Sequence, residues 1–182
     1  MTILMLSKER RARVWFDSPP PNVCLSAGPT NFYRRIDAPD ARVLKHKTVT
    51  VELFIPVGGR FLYGLLGCEV IGEQASALNI IVQASSKKEH KFTESLVGDL
   101  DTVWSGISDE YANAVLDGAS IGASKFGSPA VEAVRFCFAA HGEMSSTVSI
   151  FERLGMATVA LLTHPEGQSV GMKETLENLL DR

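Results

Sequence analysis

At 182 residues, with 45% hydrophobic and 21% charged side chains, the chain is sized for one globular domain with a substantial core. A net charge of −3 argues against a dedicated nucleic-acid binder, and no apolar run approaches the length of a membrane-spanning helix. Three widely spaced cysteines (Cys24, Cys68 and Cys137) form no C-x-x-C pair and suggest neither a disulfide framework nor a zinc knuckle, so a reducing cytoplasm is the expected setting.

The charge is unevenly placed. Residues 1–50 carry nine Lys/Arg and four Asp/Glu, net +5, and the remainder is net −8. The stretches "KERRAR", "YRR" and "RVLKHK" would suit a phosphate backbone if they clustered on one face; the alternative is a solvated N-terminal segment. "MTILMLSKERRAR" places its apolar part before its basic part and is short, unlike a secretory signal.

Residues 1–16 read as a hairpin, "TILML" and "ARVWF" around a charged turn. "DSPPPN" then interrupts regular structure, because successive prolines remove donors and fix φ. Residues 17–40 read as a long connection with one short strand near Val23–Leu25. In "TVTVELFI", Val49, Val51, Leu53 and Ile55 alternate with Thr48, Thr50, Glu52 and Phe54, the period of a half-buried strand. A glycine-rich link over 57–64 leads to a second strand at 64–72, and "LNIIVQA" alternates again. "SSKKEHK" is a turn or exposed insertion. "ISDEYANAVLDGASIGAS" is a helix: Ser108 is its N-cap, and Asp109 and Glu110 suit its positive end. Its apolar stripe is Tyr111, Ala114, Val115, Gly118, Ile121 and Gly122, with the two glycines allowing close approach to a sheet. "AVEAVRFCFAA" is a strand with Val134, Phe136 and Phe138 on one face. "STVSIFERLGMATVALLT" is a second helix and "GMKETLENLLDR" a short charged third. The order gives an α+β fold, a mostly antiparallel sheet with helices on one face, with 1–47 as an N-terminal extension and 48–182 as the main domain.

Catalytic patterns are sparse. "GASIG", residues 118–122, matches the nucleophile-elbow pattern but lies in a helix-period run with no strand before it, so Ser120 is expected to be no nucleophile. Neither G-x-x-x-x-G-K-[ST] nor G-x-G-x-x-G occurs, and the four histidines lack metal-ligand spacing. No catalytic residue, metal or cofactor is therefore assigned. The candidate contact residues lie in two connections, 57–64 and 140–146: Gly58, Gly59, Arg60, Phe61 and Tyr63 in the first, His141, Ser145 and Ser146 in the second. A shared surface requires Arg60 and His141 to lie at one end of the sheet. Phe61, Leu62 and Leu65, if exposed, would make an apolar patch for a protein partner or a second copy of the chain.

Three landmarks also occur in one order: "TVTVELFIPVGGRFLYG" with Gly58, Gly59, Arg60, Tyr63 and Gly64; "ISDEYANAVLDG" with Ile107, Glu110, Tyr111, Ala114, Val115 and Gly118; and His141, Ser145, Ser146 and Phe151. On these residues the stretch 48–163 resembles the fourth domain of the elongation factor G family, which reaches into the ribosomal decoding centre. The resemblance implies a split β-α-β fold with a left-handed crossover, tip loops at 57–64 and 140–146, and ribosomal or other structured RNA as partner. Departures are specific. Phe61 and Leu62 replace a Gly-Gln pair, Leu65 and Leu66 stand where His-Val would follow, and Met144 stands where an aspartate would precede the serines. No GTPase domain is present in the sequence, so GTP is not an expected ligand. The expected function is that of a non-enzymatic binding module; the alternatives are a small-molecule-binding protein or enzyme on the same fold, and a protein-interaction or homodimer module.

Overall fold

The computed structural model describes residues 1–23, 30–37, 42–73, 75–85, 90–164 and 169–181. The expected hairpin is present as β1 (Thr2–Met5) and β2 (Arg11–Phe16). It is followed by β3 (Thr30–Asp37), β4 (Thr48–Val57), β5 (Arg60–Ile71), β6 (Ala77–Ala84), β7 (Val103–Ser105), α1 (Asp109–Phe126), β8 (Ala133–Gly142), α2 (Val148–Leu162) and α3 (Ser169–Leu180). All eight strands belong to one sheet, in the order β1-β2-β4-β5-β8-β6-β3, with β7 paired to the end of β8. Every pairing is antiparallel except that of β6 with β8. The fold is α+β. Residues 1–47 supply three of the sheet's strands: β2 pairs along β4, and β3 pairs along the whole of β6.

Helices cover one face. Val49, Val51, Leu53 and Ile55 of β4 share a core with Val115 and Ala119 of α1, Ile150, Phe151 and Leu154 of α2, and Leu176 of α3. The opposite face is not left to solvent along β4, as a half-buried strand would be. Phe54, Tyr63 and Leu65 form a second core with Trp15, Val23, Phe92, Val97 and Val103. Residues 92–97, between β6 and α1, therefore lie across the sheet as a cover. A fully buried carboxylate holds them there. Glu52 accepts from the Tyr63 hydroxyl at 2.9 Å, from the Leu96 backbone at 2.8 Å and from Arg13 Nε at 2.6 Å. A carboxylate out of water requires such complete pairing.

β3 replaces part of the expected long connection. Its inward positions, Phe32, Arg34 and Ile36, include a cation, which hides the period-two signal. Arg34 reaches Asp117 of α1 at 2.7 Å. The strand expected at Val23–Leu25 falls largely outside the described residues; Val23 itself is buried, and its carbonyl accepts from the Ala139 amide.

α1 forms as its sequence dictates. Ser108 caps it, accepting from the Tyr111 amide, and Gly127 ends it at φ +91°. The expectation that Gly118 and Gly122 meet the sheet is corrected: they meet α2. A Cβ on Gly118 would collide with the Glu152 carbonyl, one on Gly122 would lie 3.0 Å from the Met156 carbonyl, and one on Gly155 would lie 2.7 Å from the Val115 carbonyl. Glycines on both helices let the two backbones touch. β8 also departs from simple alternation. Gly67 pairs Phe138 and Cys68 pairs Phe136, so Cys137 is an extra residue. Val134 and Phe136 face the helices as expected, but after this bulge Phe138 packs on the opposite face.

Candidate functional site

The link over 57–64 contracts to a two-residue turn. Val57 pairs Arg60, leaving Gly58 and Gly59 at the tip, with Gly58 at φ +60°. Phe61, Tyr63 and Gly64 are already strand. Phe61 is half-buried and stacks on Phe54 at 5.3 Å, and Arg11 lies 4.3 Å over the other contact of that ring system, Phe54 itself. Tyr63 is fully buried with its hydroxyl on Glu52; burial first, then the Glu52 charge, push its phenol well above the usual range. Gly64 lies beneath α2, where a Cβ would meet Leu154 Cδ1 at 2.7 Å. The expected apolar patch is corrected too: Leu65 is fully buried and Leu62 packs against the helix-side core.

The second connection is held beside the first. Tyr63 donates its backbone N–H to the Ser145 carbonyl at 3.0 Å. The Ser146 hydroxyl donates to the Tyr63 carbonyl at 2.7 Å and accepts from the Gly142 amide at 2.9 Å. Ser145 is buried; its hydroxyl donates to Asp101 at 2.5 Å, and its amide and that of Met144 reach the same oxygen at 3.0 and 3.1 Å. Asp101 thus supplies a carboxylate to Ser145 from 44 residues upstream. Nothing in the local pattern of "GDLDTVW" marks this role. Tyr111 of α1 donates to the Ser146 carbonyl at 3.1 Å, stacks on Phe151 at 4.6 Å, and faces the His141 ring at 6.2 Å. His141 is half-buried, with Nδ1 donating to the Gly106 carbonyl at 2.7 Å.

No known family model matches the chain, and no curated protein does.

The β5–β8 register places Arg60 and His141 at one end of the sheet, the condition for a shared surface. The candidate residues divide by exposure. Gly58, Gly59 and Arg60 reach solvent, Phe61, His141 and Ser146 are half-buried, and Tyr63 and Ser145 are support. Residues that the sequence reading did not select complete the surface: Val57, Leu100 and Met144 are 54%, 66% and 89% exposed. These three side chains, from three separate segments, pack in neither core.

Exposed acids outnumber exposed cations around this end: Asp99, Glu143, Asp109 and Glu110 stand beside Arg60 and Lys91. The cations of "KERRAR" are largely engaged within the molecule. Lys8 and Arg10 both bind Asp181, at 2.9 and 2.8 Å, which lowers that carboxyl's pKa; Arg13 binds Glu52, and Arg11 covers Phe54. Ser120 sits in α1, donating to the Leu116 carbonyl at 2.7 Å. Among the described residues, no cluster of three or more His, Cys, Asp or Glu could hold a metal ion. Among the described residues, no helix is long and apolar enough to cross a membrane.

Proposed function

We propose that this chain is a non-enzymatic binding module whose contact tip is the β4–β5 turn together with residues 142–147. The observation that carries the reading is the locking of these two segments by Asp101, Ser145, Ser146 and Tyr63, with Val57 and Met144 exposed beyond the lock. A surface fixed in advance loses little conformational freedom on binding. An apolar centre with an acidic rim fits a protein partner with a basic surround.

Structured RNA, the partner implied by the resemblance to the fourth domain of elongation factor G, is a second reading. It is supported by Arg60, exposed at the turn and without a described acidic partner. Paired variants separate the two. For a protein partner identified by affinity capture and then purified, Met144→Glu lowers affinity strongly and Arg60→Ala does so weakly. For ribosomes, co-sedimentation weakens with salt, and Arg60→Ala lowers the salt slope by about 0.7–0.9. Binding of either partner unchanged by both substitutions refutes the tip as the contact.

A further inference from the structure

The contact tip presents a thioether to solvent. Of the five methionines in the chain, Met156 and Met172 are buried at 8% and 4% exposure, whereas Met144 is 89% exposed, more than any other large apolar side chain among the described residues. Met1 and Met5 are exposed as well, but Met5 lies on β1, the outermost strand, and Met1 precedes it. Two features set Met144 apart from an ordinary surface methionine. Its backbone is fixed. The Met144 amide donates to Asp101 Oδ2 at 3.1 Å, and Ser145 donates to the same oxygen through both its amide and its hydroxyl. The lock itself therefore holds this side chain out. Met144 also lines an open hollow of about 680 Å³ with Lys91, Asp99, Leu100, Asp101 and Glu143, so water and small solutes reach it.

Oxidation of a thioether by a peroxide needs such a position. The sulfur lone pair attacks one peroxide oxygen, an S–O bond forms, and the O–O bond breaks. The departing oxygen leaves with its electron pair and takes up the proton of the new S–OH group as water. Sulfur is oxidised by two electrons and hydrogen peroxide is reduced. Negative charge grows on the leaving oxygen, and water at the sulfur stabilises it. Met156 and Met172, packed in the helix-side core, have no such water beside them. Neither described cysteine competes for the oxidant. Cys68 and Cys137 are both buried, and burial pushes the Cys68 thiol well above its usual range, which keeps it out of the reactive thiolate form.

The consequence falls on the binding surface. A sulfoxide is a polar acceptor where the thioether was apolar. At Met144 it shares the hollow with the carboxylates of Asp99, Asp101 and Glu143, which offer it no proton, while the Lys91 ammonium lies over the Trp104 ring at 5.4 Å. An apolar partner surface offers no proton either, and burying an acceptor without a donor is costly. We propose that Met144 is a site of reversible oxidation that switches the contact tip: the thioether binds the protein partner and the sulfoxide does not. A methionine sulfoxide reductase restores the thioether at the expense of a dithiol, which becomes a disulfide as water is released. The proposal rests on the reading of the tip as the contact surface.

The test treats the full chain with dilute hydrogen peroxide, removes the excess with catalase, and follows each methionine by peptide mass spectrometry. Met144 is expected to oxidise about as fast as free methionine, and Met156 and Met172 at least about tenfold more slowly. Equal rates at Met144 and Met156 overturn the site. The two epimer-specific reductases with dithiothreitol are expected to return Met144 to the thioether in the folded protein, and a sulfoxide that resists both overturns reversibility. The switch is read on the protein partner purified after affinity capture on the untreated chain. Its Kd is expected to rise about tenfold or more after treatment and to fall back after reduction. Met144→Leu, whatever its starting affinity, is expected to give the same Kd before and after peroxide. A response that persists in Met144→Leu overturns the switch by assigning the effect to another residue. If oxidation leaves the Kd unchanged while Met144→Glu raises it, the switch is overturned and the tip stands. If neither changes the Kd, both fall.

Discussion

Glu52→Ala is the sharpest probe of how this sheet is held. The carboxylate is fully buried and accepts three hydrogen bonds, from Tyr63, Leu96 and Arg13. Removing it strands a guanidinium whose side chain is only 14% exposed. Breaking one side of a buried ion pair costs about 3–5 kcal/mol. The Tyr63 hydroxyl and the Leu96 amide also lose their acceptor, at about 1–3 kcal/mol each when taken singly. These groups share one partner, so the costs do not sum, and a total loss of about 4–6 kcal/mol is expected. Against a typical domain stability of about 5–15 kcal/mol, that brings the protein close to unfolding. Urea unfolding followed by the fluorescence of Trp15, which shares the second core, measures it. The triple variant Glu52→Leu, Arg13→Met, Tyr63→Phe removes the stranded side-chain groups, leaves the Leu96 amide without its acceptor, and is expected to recover part of the loss. A Glu52→Ala cost below about 1 kcal/mol, the range of exposed pairs, would refute the buried-anchor reasoning.

Other outcomes follow from single contacts. Gly118→Leu drives a side chain into the α2 backbone at Glu152 and is expected to cost at least about 1–3 kcal/mol in a denaturant melt; an unchanged midpoint counts against the close helix crossing. Burial and Glu52 raise the Tyr63 pKa in the folded protein, so the native state keeps a proton that the unfolded chain releases above its usual value of about 10. The stability tied to that proton is complete below this value and is lost as pH rises toward the folded pKa; Tyr63→Phe should flatten the alkaline slope of an unfolding titration, and an identical slope would sink the assignment. Asp101→Ala releases three hydrogen bonds that hold Met144 and Ser145, and amide exchange at 142–146 should accelerate with little change at α3; uniform acceleration would mean that Asp101 supports the whole fold rather than the turn. Ser120 should resist a fluorophosphonate probe, and labelling lost on Ser120→Ala would restore it as a nucleophile.

What was legible in the sequence was mostly local. The helix from Asp109 announced itself through Ser108 and two acids, and the strand from Thr48 through the period-two placing of Val49, Val51, Leu53 and Ile55. Long-range partners left no such mark. β3 is masked because Arg34 stands at an inward position, where Asp117 and Ser120, distant in sequence, meet its charge. The glycines of α1 were read as close-packing positions, but periodicity does not say which element approaches them. Tyr63 was read as a contact residue because it sits near a glycine turn; its partner Glu52 looked like one polar residue of an alternating strand. The turns at 58–59 and 142–147 were found from their glycines and serines, whereas Asp101 was not, because its role exists only once residues 90–105 have folded back.

The place of β8 in the sheet bears on how the chain reaches this state during synthesis. β8 is the last of the described strands in chain order, yet it lies between β5 and β6 and joins them. Until residues 133–142 have left the ribosome, the earlier strands form two unconnected groups, β1-β2-β4-β5 and β3-β6. Each has a long hydrophobic edge open to pairing with other chains, on strands rich in leucine, isoleucine and valine. β3 must also find β6 across the intervening hairpin, a distant closure of the kind that slows folding. Emergence of residue 142 from the ribosome is therefore the step at which the sheet becomes continuous, and a chain stalled before it should depend on chaperones to stay unaggregated.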